Sequence, residues 1–335
     1  MAKHILFIET GGTFACETKA AGVRDLGDHS VLDFAAVRSK VNGAGLKISV
    51  KRPFRVLSEN MTLERLEEWL LFLKTVDFAL YDGIVIAHGT DTLAYTVNLT
   101  AFALGKQDIP LVFIAADRPL LQEKSNGIVN FLAALDFMDA GETGVFALYR
   151  NEDHRILVHR GGRLRQMEDI YASFQSHRGV FFGELRQGRF LYHEHPLNLR
   201  FQKAALPYDG VSLRRGILRI FPYPGLQYSA FDLLGVTAVL LETYHSATFC
   251  TAGDTENLHC LLRSLPRDTP VFIVGGRSGE ERYAAALPER ENLYYVTDVA
   301  SEAFYMKALL AFGDRETAAA TAYLLENSIG EKVSS

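Results

Sequence analysis

The sequence predicts an α/β protein with two open α/β domains, a larger N-terminal one with a mostly parallel sheet and a smaller C-terminal one. Short apolar runs rich in β-branched and aromatic residues end in small polar residues, which is typical of buried parallel strands. Helical patterns lie between these runs, and such alternation predicts right-handed crossovers. The chain has 335 residues, and at roughly 150 residues per domain this length favours two domains over one.

The first domain is predicted from apolar runs and the amphipathic segments that connect them. The predicted strands are Ile5–Ile8, Gly83–Ala87, Leu111–Ala116 and Gly144–Tyr149. The predicted helices are Thr62–Phe78, Leu93–Leu104 and Gly127–Met138. Because the strands are apolar throughout, we expect both faces of their sheet to be covered.

The alternation fails over Gln187–Arg215, which holds prolines, mixed charge and no sustained period. We therefore expect a first domain over 1–190, a linker over 191–213 and a second domain over 214–335. Alternation resumes in the second domain, with predicted strands Gly216–Phe221, Gly235–Leu241 and Pro270–Val274 and predicted helices Ala300–Phe312 and Glu316–Asn327.

Composition and net charge exclude some classes of binding partner and indicate the cellular compartment. The formal net charge is -5, so we expect neither nucleic acid nor a membrane as a partner. The N-terminal apolar run is too short for a signal peptide, and no run of about 18 apolar residues occurs. The chain has three cysteines, a sparse and odd number that argues against a disulfide framework and fits a reducing compartment. We expect a cytoplasmic protein.

Thr10-Gly11-Gly12-Thr13 follows the first predicted strand. In open parallel sheets, ligands bind at the carboxyl ends of the strands. Paired glycines allow a sharp turn and leave N–H groups open to an oxyanion, with the Thr13 hydroxyl beside them. The alternative is a purely structural turn, in which glycine supplies a positive φ and threonine caps it.

His88-Gly89-Thr90-Asp91-Thr92 follows the second of the predicted strands. Asp91 or Thr92 has a structural alternative, as the N-cap of the helix that begins near Leu93. A carboxylate beside two hydroxyls also suits recognition of an ammonium group and activation of water. His88 is expected to be a hydrogen-bonded structural residue.

Together, the TGGT and HGTDT motifs resemble those of the bacterial-type L-asparaginases, more closely the cytoplasmic type I branch. Further segments resemble the same family, namely Ser58-Glu59-Asn60-Met61, Ala115-Ala116-Asp117-Arg118-Pro119 and Phe221-Pro222-Tyr223-Pro224-Gly225. The resemblance covers nearly the whole chain.

The resemblance implies a role for each matching residue. Thr13 would attack the side-chain amide carbon of the substrate and form an acyl-enzyme, and Thr90 would position or activate the hydrolytic water. Asp91 would hold the α-ammonium of the substrate and Ser58 its α-carboxylate. Backbone N–H groups of Gly12, Gly89 and Thr90 would donate to the substrate carboxylate or the oxyanion. Glu59 and Ala116 complete the expected substrate-binding residues.

The sequence departs from the family pattern at three places. The family's lysine after the fourth strand is expected to correspond to Arg165, which carries charge but cannot lose a proton to act as a base; alternatively, Arg165 is a surface residue. The tyrosine of the mobile loop is missing from Cys16–Arg24. Glu59 stands where secreted members carry glutamine.

The predicted function is that of an amidohydrolase that converts L-asparagine to L-aspartate and ammonia. Alternatives are hydrolysis of another amide, such as glutamine or a substituted asparagine, and a ligand-binding relative with little turnover. An ammonia-supplying subunit of a tRNA amidotransferase is less expected, because that subunit carries an extra N-terminal domain and TGGT begins here at residue 10. A nucleotide-binding turn is disfavoured because G-x-G-x-x-G is absent.

We expect the partner to be a small amino-acid amide, with no cofactor and no metal. The resemblance implies a homodimer or homotetramer.

Overall fold

The fold is described from a computed structural model of the chain. The structure describes residues 2–18, 24–27, 29–169, 173–198, 210–279 and 290–334. In this part of the chain the strands are β1 (His4–Glu9), β2 (Cys16–Thr18), β3 (Arg24–Leu26), β4 (Lys47–Lys51), β5 (Gly83–Ala87), β6 (Pro110–Ile114), β7 (Gly144–Arg150), β8 (Ile156–Arg160), β9 (Leu164–Arg165), β10 (Gln175–Ser176), β11 (Gly183–Arg186), β12 (Arg189–Tyr192), β13 (Ile217–Ile220), β14 (Ala238–Glu242), β15 (Val271–Val274) and β16 (Leu293–Val296). The helices are α1 (Ala35–Gly43), α2 (Leu63–Lys74), α3 (Leu93–Leu104), α4 (Gly127–Phe137), α5 (Leu258–Ser264), α6 (Ser301–Asp314) and α7 (Thr317–Leu325).

The larger sheet has the strand order β12-β11-β8-β7-β6-β5-β1-β4. Strands β4, β1, β5, β6 and β7 run parallel, and β8, β11 and β12 continue the sheet in antiparallel pairing. The predicted parallel strands of the first domain are therefore confirmed, and they form the centre of the sheet. Their carboxyl ends lie side by side at one edge, where the site is expected.

The two faces of the larger sheet bury alternate residues of the same strands. In β1, Leu6 and Ile8 pack into the core on the α2 and α3 face, whereas Ile5 and Phe7 pack into the core on the α1 and α4 face. This is the two-residue repeat of a strand covered on both sides. It explains why the central strands β5 and β6 are apolar at every position.

The smaller sheet is parallel, with the order β13-β14-β15-β16. Helices α6 and α7 pack together on one side of it, and α5 closes the other side with a separate apolar core. The two-domain α/β class predicted from the sequence is confirmed. Two small pairings, β2 with β3 and β9 with β10, complete the described strands.

Two elements of the structure have bounds that differ from the predicted segments. Strand β12 extends into the expected linker 191–213, because Leu191 and Tyr192 pair with Glu184 and Gly183 at the sheet edge. Residues 199–209 of that linker lie outside the described residues. The predicted helix 62–78 is shorter, because Thr62 caps α2 and the helix ends at Lys74. None of the helices in the described ranges is long and apolar enough to cross a lipid bilayer.

Candidate active site

A cavity of about 540 Å³ opens at the carboxyl ends of the central strands. Its described lining residues are Thr13, Cys16, Leu57, Glu59, Thr90, Asp91, Asp117, Tyr149, Gln166, Met167, Glu168 and Asp169. Thr13 follows β1, Thr90 and Asp91 follow β5, Asp117 follows β6, and Tyr149 lies at the end of β7. The fold thus brings the two threonine motifs together.

The turn after β1 is held against neighbouring strand ends through its backbone. Both the N–H and the hydroxyl of Thr10 donate to the carbonyl of Ala87, at 3.1 and 2.9 Å. Gly11 and Gly12 have φ values of 115° and 67°, which favour glycine. The N–H of Gly12 donates to the carbonyl of Val56 at 2.8 Å. This N–H therefore already has a backbone acceptor, and its expected donation to the substrate stays a prediction.

Glycine at positions 12 and 89 allows these segments to touch. A Cβ added to Gly12 would lie 2.3 Å from the Cα of Gly89, and one added to Gly89 would lie 2.4 Å from the Oγ of Ser58. Gly12, Gly89 and Ser58 are buried behind the cavity wall. This close packing sets Thr13 and Thr90 in the same wall.

Ser58 positions Asp91. Its hydroxyl donates to Oδ2 of Asp91 at 2.8 Å, and the Asp91 N–H lies 3.3 Å from the same hydroxyl oxygen. The Thr92 hydroxyl donates to the carbonyl of Ser58 at 2.9 Å. Helix α3 has Thr92 as its N-cap residue, without a capping hydrogen bond from the side chain. The structural alternative, in which Asp91 or Thr92 caps α3 through its side chain, therefore does not hold. Both side chains instead form hydrogen bonds with Ser58.

Gln166, rather than Arg165, faces the threonine motif. The Nε2 of Gln166 donates to the carbonyl of Thr90 at 3.0 Å, and its backbone N–H donates to Oε1 of Glu302 at 3.1 Å. The side chain of Arg165 is 44% exposed, with Nη2 3.8 Å from Oε1 of Glu168. Arg165 lines a smaller neighbouring pocket that also contains Ser173. This placement matches the surface alternative for Arg165.

Two further wall residues, Asp117 and Tyr149, were not anticipated from the sequence. The Asp117 N–H donates to Oδ1 of Asn126 at 2.9 Å, and the Asn126 N–H donates back to Oδ1 of Asp117 at 3.0 Å. Burial is the main cause that raises the pKa of Tyr149 to about 12, and the charge of Asp117 adds to it. The Tyr149 hydroxyl therefore stays protonated at neutral pH.

The remaining predicted residues differ in their access to the cavity. Glu59 lines it, whereas Ala116 is fully buried at the base of the Asp117 segment. Residues 19–23 of the Cys16–Arg24 loop lie outside the described residues. Burial lowers the pKa of His88 to about 4, and its Nδ1 lies 2.9 Å from the carbonyl of Gly89. His88 is thus a neutral, buried residue, as expected for a structural role.

In the described ranges, no three His, Cys, Asp or Glu side chains lie close enough together to hold a metal ion. The carboxylates of the cavity are therefore spread along its wall.

Comparison with known proteins identifies the family. The family model described as "Asparaginase, N-terminal" matches residues 4–198, which is more than half of the chain. The chain belongs to the asparaginase family. This match confirms the resemblance predicted from the TGGT and HGTDT motifs. Both motifs contribute residues to the wall of the cavity.

Named relatives of this asparaginase-family chain include two kinds of protein. It is 32% identical over 151 residues to an L-asparaginase of Thermococcus kodakarensis, covering 44% of each chain. It is 33% identical over 173 residues to one subunit of a glutamyl-tRNA(Gln) amidotransferase of Saccharolobus solfataricus, covering 49% of this chain and 37% of that protein. The chain thus matches less than half the length of these curated relatives.

Solved structures share the asparaginase fold over almost the full chain. The thermostable L-asparaginase from Thermococcus kodakarensis has a TM-score of 0.74 at 22% identity, covering 99% of this chain and 100% of that one. L-asparaginase I from Vibrio cholerae has a TM-score of 0.77 at 17% identity, covering 99% of each chain. At such identities the likeness shows the fold alone.

Proposed function

We propose that this asparaginase-family protein hydrolyses the side-chain amide of L-asparagine to L-aspartate and ammonia through a threonyl ester. The single observation that carries the proposal is that Thr13, Thr90 and Asp91 line one cavity. The named L-asparaginase relative supports the choice of substrate.

Different residues bind the substrate and carry out the reaction. Asp91, held by the Ser58 hydroxyl at 2.8 Å, presents a carboxylate to the α-ammonium group of the substrate. The Thr13 hydroxyl attacks the amide carbon, the C–N bond breaks, and the hydroxyl proton leaves with ammonia. Water beside Thr90 then hydrolyses the ester, which releases L-aspartate and restores the hydroxyl. The backbone N–H groups of Gly89 and Thr90 remain the expected oxyanion donors.

Replacement of Thr13 tests the proposed nucleophile. We expect Thr13→Ala to reduce ammonia release from L-asparagine by about a thousandfold or more, because the ester can no longer form. Thr13→Ser keeps a hydroxyl and is expected to retain measurable turnover. Cys16→Ser is the matched control, because Cys16 lines the same cavity and is not expected to react. Mass spectrometry of the trapped intermediate should find the added mass on Thr13.

Activity of the Thr13→Ala variant, turnover of other amides and binding of asparagine together distinguish the proposal from its alternatives. Full ammonia release by Thr13→Ala would reject the threonyl ester. Turnover of glutamine or of substituted asparagines in place of asparagine would assign another amide. Tight binding of asparagine without turnover would indicate a ligand-binding relative.

A homodimer or homotetramer remains an expectation, which light scattering after size-exclusion chromatography would check.

A further inference from the structure

Two hydrogen bonds hold the peptide unit between Thr90 and Asp91 from opposite sides. Its carbonyl, which belongs to Thr90, accepts Nε2 of Gln166 at 3.0 Å. Its N–H, which belongs to Asp91, lies 3.3 Å from the hydroxyl oxygen of Ser58. Because a peptide unit is planar, fixing both of its polar groups limits the directions in which the two side chains can point. Gln166 and Ser58 therefore orient two residues of the cavity wall.

Ser58 holds Asp91 in a second way as well. Its hydroxyl donates to Oδ2 of Asp91 at 2.8 Å, so Asp91 keeps this direct contact even without Gln166. Thr90 is held by Gln166 through its carbonyl. Loss of the Gln166 contact is therefore expected to displace Thr90 more than Asp91.

Glu302 of the second domain fixes Gln166. Strand β9 pairs with β10 as far as Arg165, and Gln166 is the next residue. Its N–H lies beyond the strand pairing and needs another acceptor, which is Oε1 of Glu302 at 3.1 Å. Glu302 lies in the first turn of α6, and α6 packs against β9. The second domain thus provides an acceptor at the point where the strand pairing ends.

Glu302 is a buried carboxylate with a defined direction. Only 6% of the residue is exposed. Its Oε2 lies 3.4 Å from the hydroxyl of Ser301, and that hydroxyl accepts Nη2 of Arg219 at 2.9 Å. A hydrogen bond to a carboxylate is roughly twice as strong as one between neutral groups. The N–H of Gln166 is therefore held by a fixed and strong acceptor.

The base of the β9–β10 hairpin has its own attachments to the end of the chain. Nε of the buried Arg163 donates to the carbonyl of Gly330 at 2.7 Å. Nη1 of Arg178, just after β10, donates to the carbonyl of Val333 at 2.8 Å. Because these contacts do not involve α6, loss of its carboxylate is expected to release the segment after β9 and leave the hairpin folded.

A carboxylate at this position has a purely structural alternative. An acidic residue in the first turn of a helix stabilises that helix through its dipole. Such an effect would act on stability alone and would require the negative charge. A contact that acts through Gln166 would instead alter turnover and would require only an acceptor oxygen. The two roles of Glu302 can therefore be separated by experiment.

We propose that Glu302 is a positioning residue, which holds Gln166 so that Thr90 stands in place for hydrolysis of the threonyl ester. This inference rests on the proposed function, because the reaction that it assists is the same one. Glu302 is absent from the described lining of the cavity. It acts through the N–H of Gln166 and the carbonyl of Thr90, and this couples the second domain to the site of the first.

Two substitutions of Glu302 separate the acceptor oxygen from the charge. Glu302→Ala removes both, and we expect kcat for L-asparagine to fall about tenfold. KM should change by less than about twofold, because Asp91 keeps its bond to Ser58. Glu302→Gln keeps an acceptor oxygen and should retain kcat within about threefold of the native value. An unchanged kcat in Glu302→Ala, equal losses in both variants, or a loss that appears in KM alone would overturn the inference.

Glu67→Ala is the matched control. Oε1 of Glu67 accepts the Leu213 N–H at 2.8 Å, so this carboxylate joins α2 to the segment that leads into β13 by a contact of the same kind. Glu67 is absent from the described lining of the cavity. Its replacement should lower stability in urea and leave kcat within about twofold of the native value. A loss of kcat as large as that of Glu302→Ala would reject a specific role for Glu302.

A double-mutant cycle tests whether Glu302 acts through Gln166. Adding Glu302→Ala to Gln166→Leu should lower kcat by no more than about a further twofold, because the side chain that Glu302 positions is already gone. If the two losses multiply instead, Glu302 acts by another route and the inference fails.

Hydrogen exchange keeps the inference distinct from the proposed function. If asparagine is hydrolysed and Glu302→Ala keeps the native kcat, the inference fails and the proposed function stands. If no amide is hydrolysed, the proposed function fails, and hydrogen exchange measured by mass spectrometry decides the positioning role. Faster exchange in the fragments that contain Gln166 and Asp91, in Glu302→Ala but not in Glu67→Ala, would support it. Native exchange in the Asp91 fragment would reject it.

Discussion

At the residue scale, the site requires a residue without a side chain at position 12. Gly12 combines a φ of 67° with a ψ of -170°, a backbone region that is almost restricted to glycine. A Cβ there would also meet the backbone of Gly89 at 2.3 Å. We expect Gly12→Ala to lower the free energy of unfolding by about 3 kcal/mol or more and to abolish most ammonia release.

Gly45→Ala is the control for backbone strain alone. Gly45 has a φ of 61°, and a Cβ there would meet no atom within 4 Å. Its replacement should cost about 1–2 kcal/mol and leave activity intact. Urea unfolding and ammonia release measure both effects. Equal losses of stability in the two variants would show that contact with Gly89 contributes nothing.

Gln166 provides the second prediction at the residue scale. Its side chain donates to the carbonyl of Thr90, whereas Arg165 next to it is largely exposed. We expect Gln166→Leu to lower kcat by about 10- to 100-fold, because a small displacement of a positioning contact has effects of this size. Arg165→Leu should change kcat by less than about threefold. Steady-state kinetics distinguish the two, and the reverse order would restore Arg165 as the partner of Thr90.

The same pair shows where sequence reasoning about the site succeeded and where it failed. Thr13 and Asp91 were found because glycine, threonine and aspartate cluster at strand ends. The family's lysine position was assigned to Arg165, and Gln166 was not considered, because nothing in the sequence fixes the register of the short strand β9. Side chains alternate along a strand, so an error of one residue moves a side chain to the other face. Asp117 and Tyr149 were missed because their meeting depends on the order of β6 and β7 in the sheet.

At the scale of elements, burial decided which strands were predictable. Strands β5 and β6 are buried at every position, which produces uninterrupted apolar runs. The edge strands β4 and β12 are half-exposed, and β4 carries alternating polar residues, so neither strand contains a long uninterrupted apolar run. The expected linker therefore began within β12.

Helix α3 offers a test of how an element positions the site. Asn98 is fully buried, and its side chain donates to the carbonyl of Leu164 and accepts the Gly162 N–H, both at 2.8 Å. It therefore ties the segment that leads to Gln166 onto the helix that follows Asp91. Asn98→Leu would leave two buried backbone groups without partners and should cost about 2–4 kcal/mol.

The matched control for this helix is Asn42→Leu, an exposed change in α1. It should alter the free energy of unfolding by less than about 0.5 kcal/mol. Guanidinium unfolding measures the stability of both variants. Asn98→Leu should also reduce ammonia release more than Asn42→Leu does. A stable and fully active Asn98→Leu protein would show that this side chain does not hold the Gln166 segment.

At the scale of the molecule, the two sheets share one core. Helices α3 and α6 pack together, and a single apolar cluster extends from Leu6 in β1 to Phe272 in β15. Arg219 of β13 donates to the hydroxyl of Tyr95 in α3 at 3.0 Å and to Ser301 of α6 at 2.9 Å. The two domains are therefore consecutive along the chain, but they pack against each other through one shared apolar core behind the site.

Stability of the whole molecule should fall in mild acid, because folding buries neutral histidines. Burial lowers the pKa of His88 to about 4 and that of His159 to about 3, while the unfolded value is about 6.5. Above pH 6.5 both states are neutral; below it the unfolded chain binds a proton that the folded protein does not. The free energy of unfolding therefore decreases as pH falls from about 6.5 towards 4, by up to about 1.4 kcal/mol per pH unit for each histidine. His88→Gln should reduce this slope by that amount in urea unfolding between pH 6 and 5. An unchanged slope would mean that His88 is protonated in the folded protein or remains buried in the unfolded one.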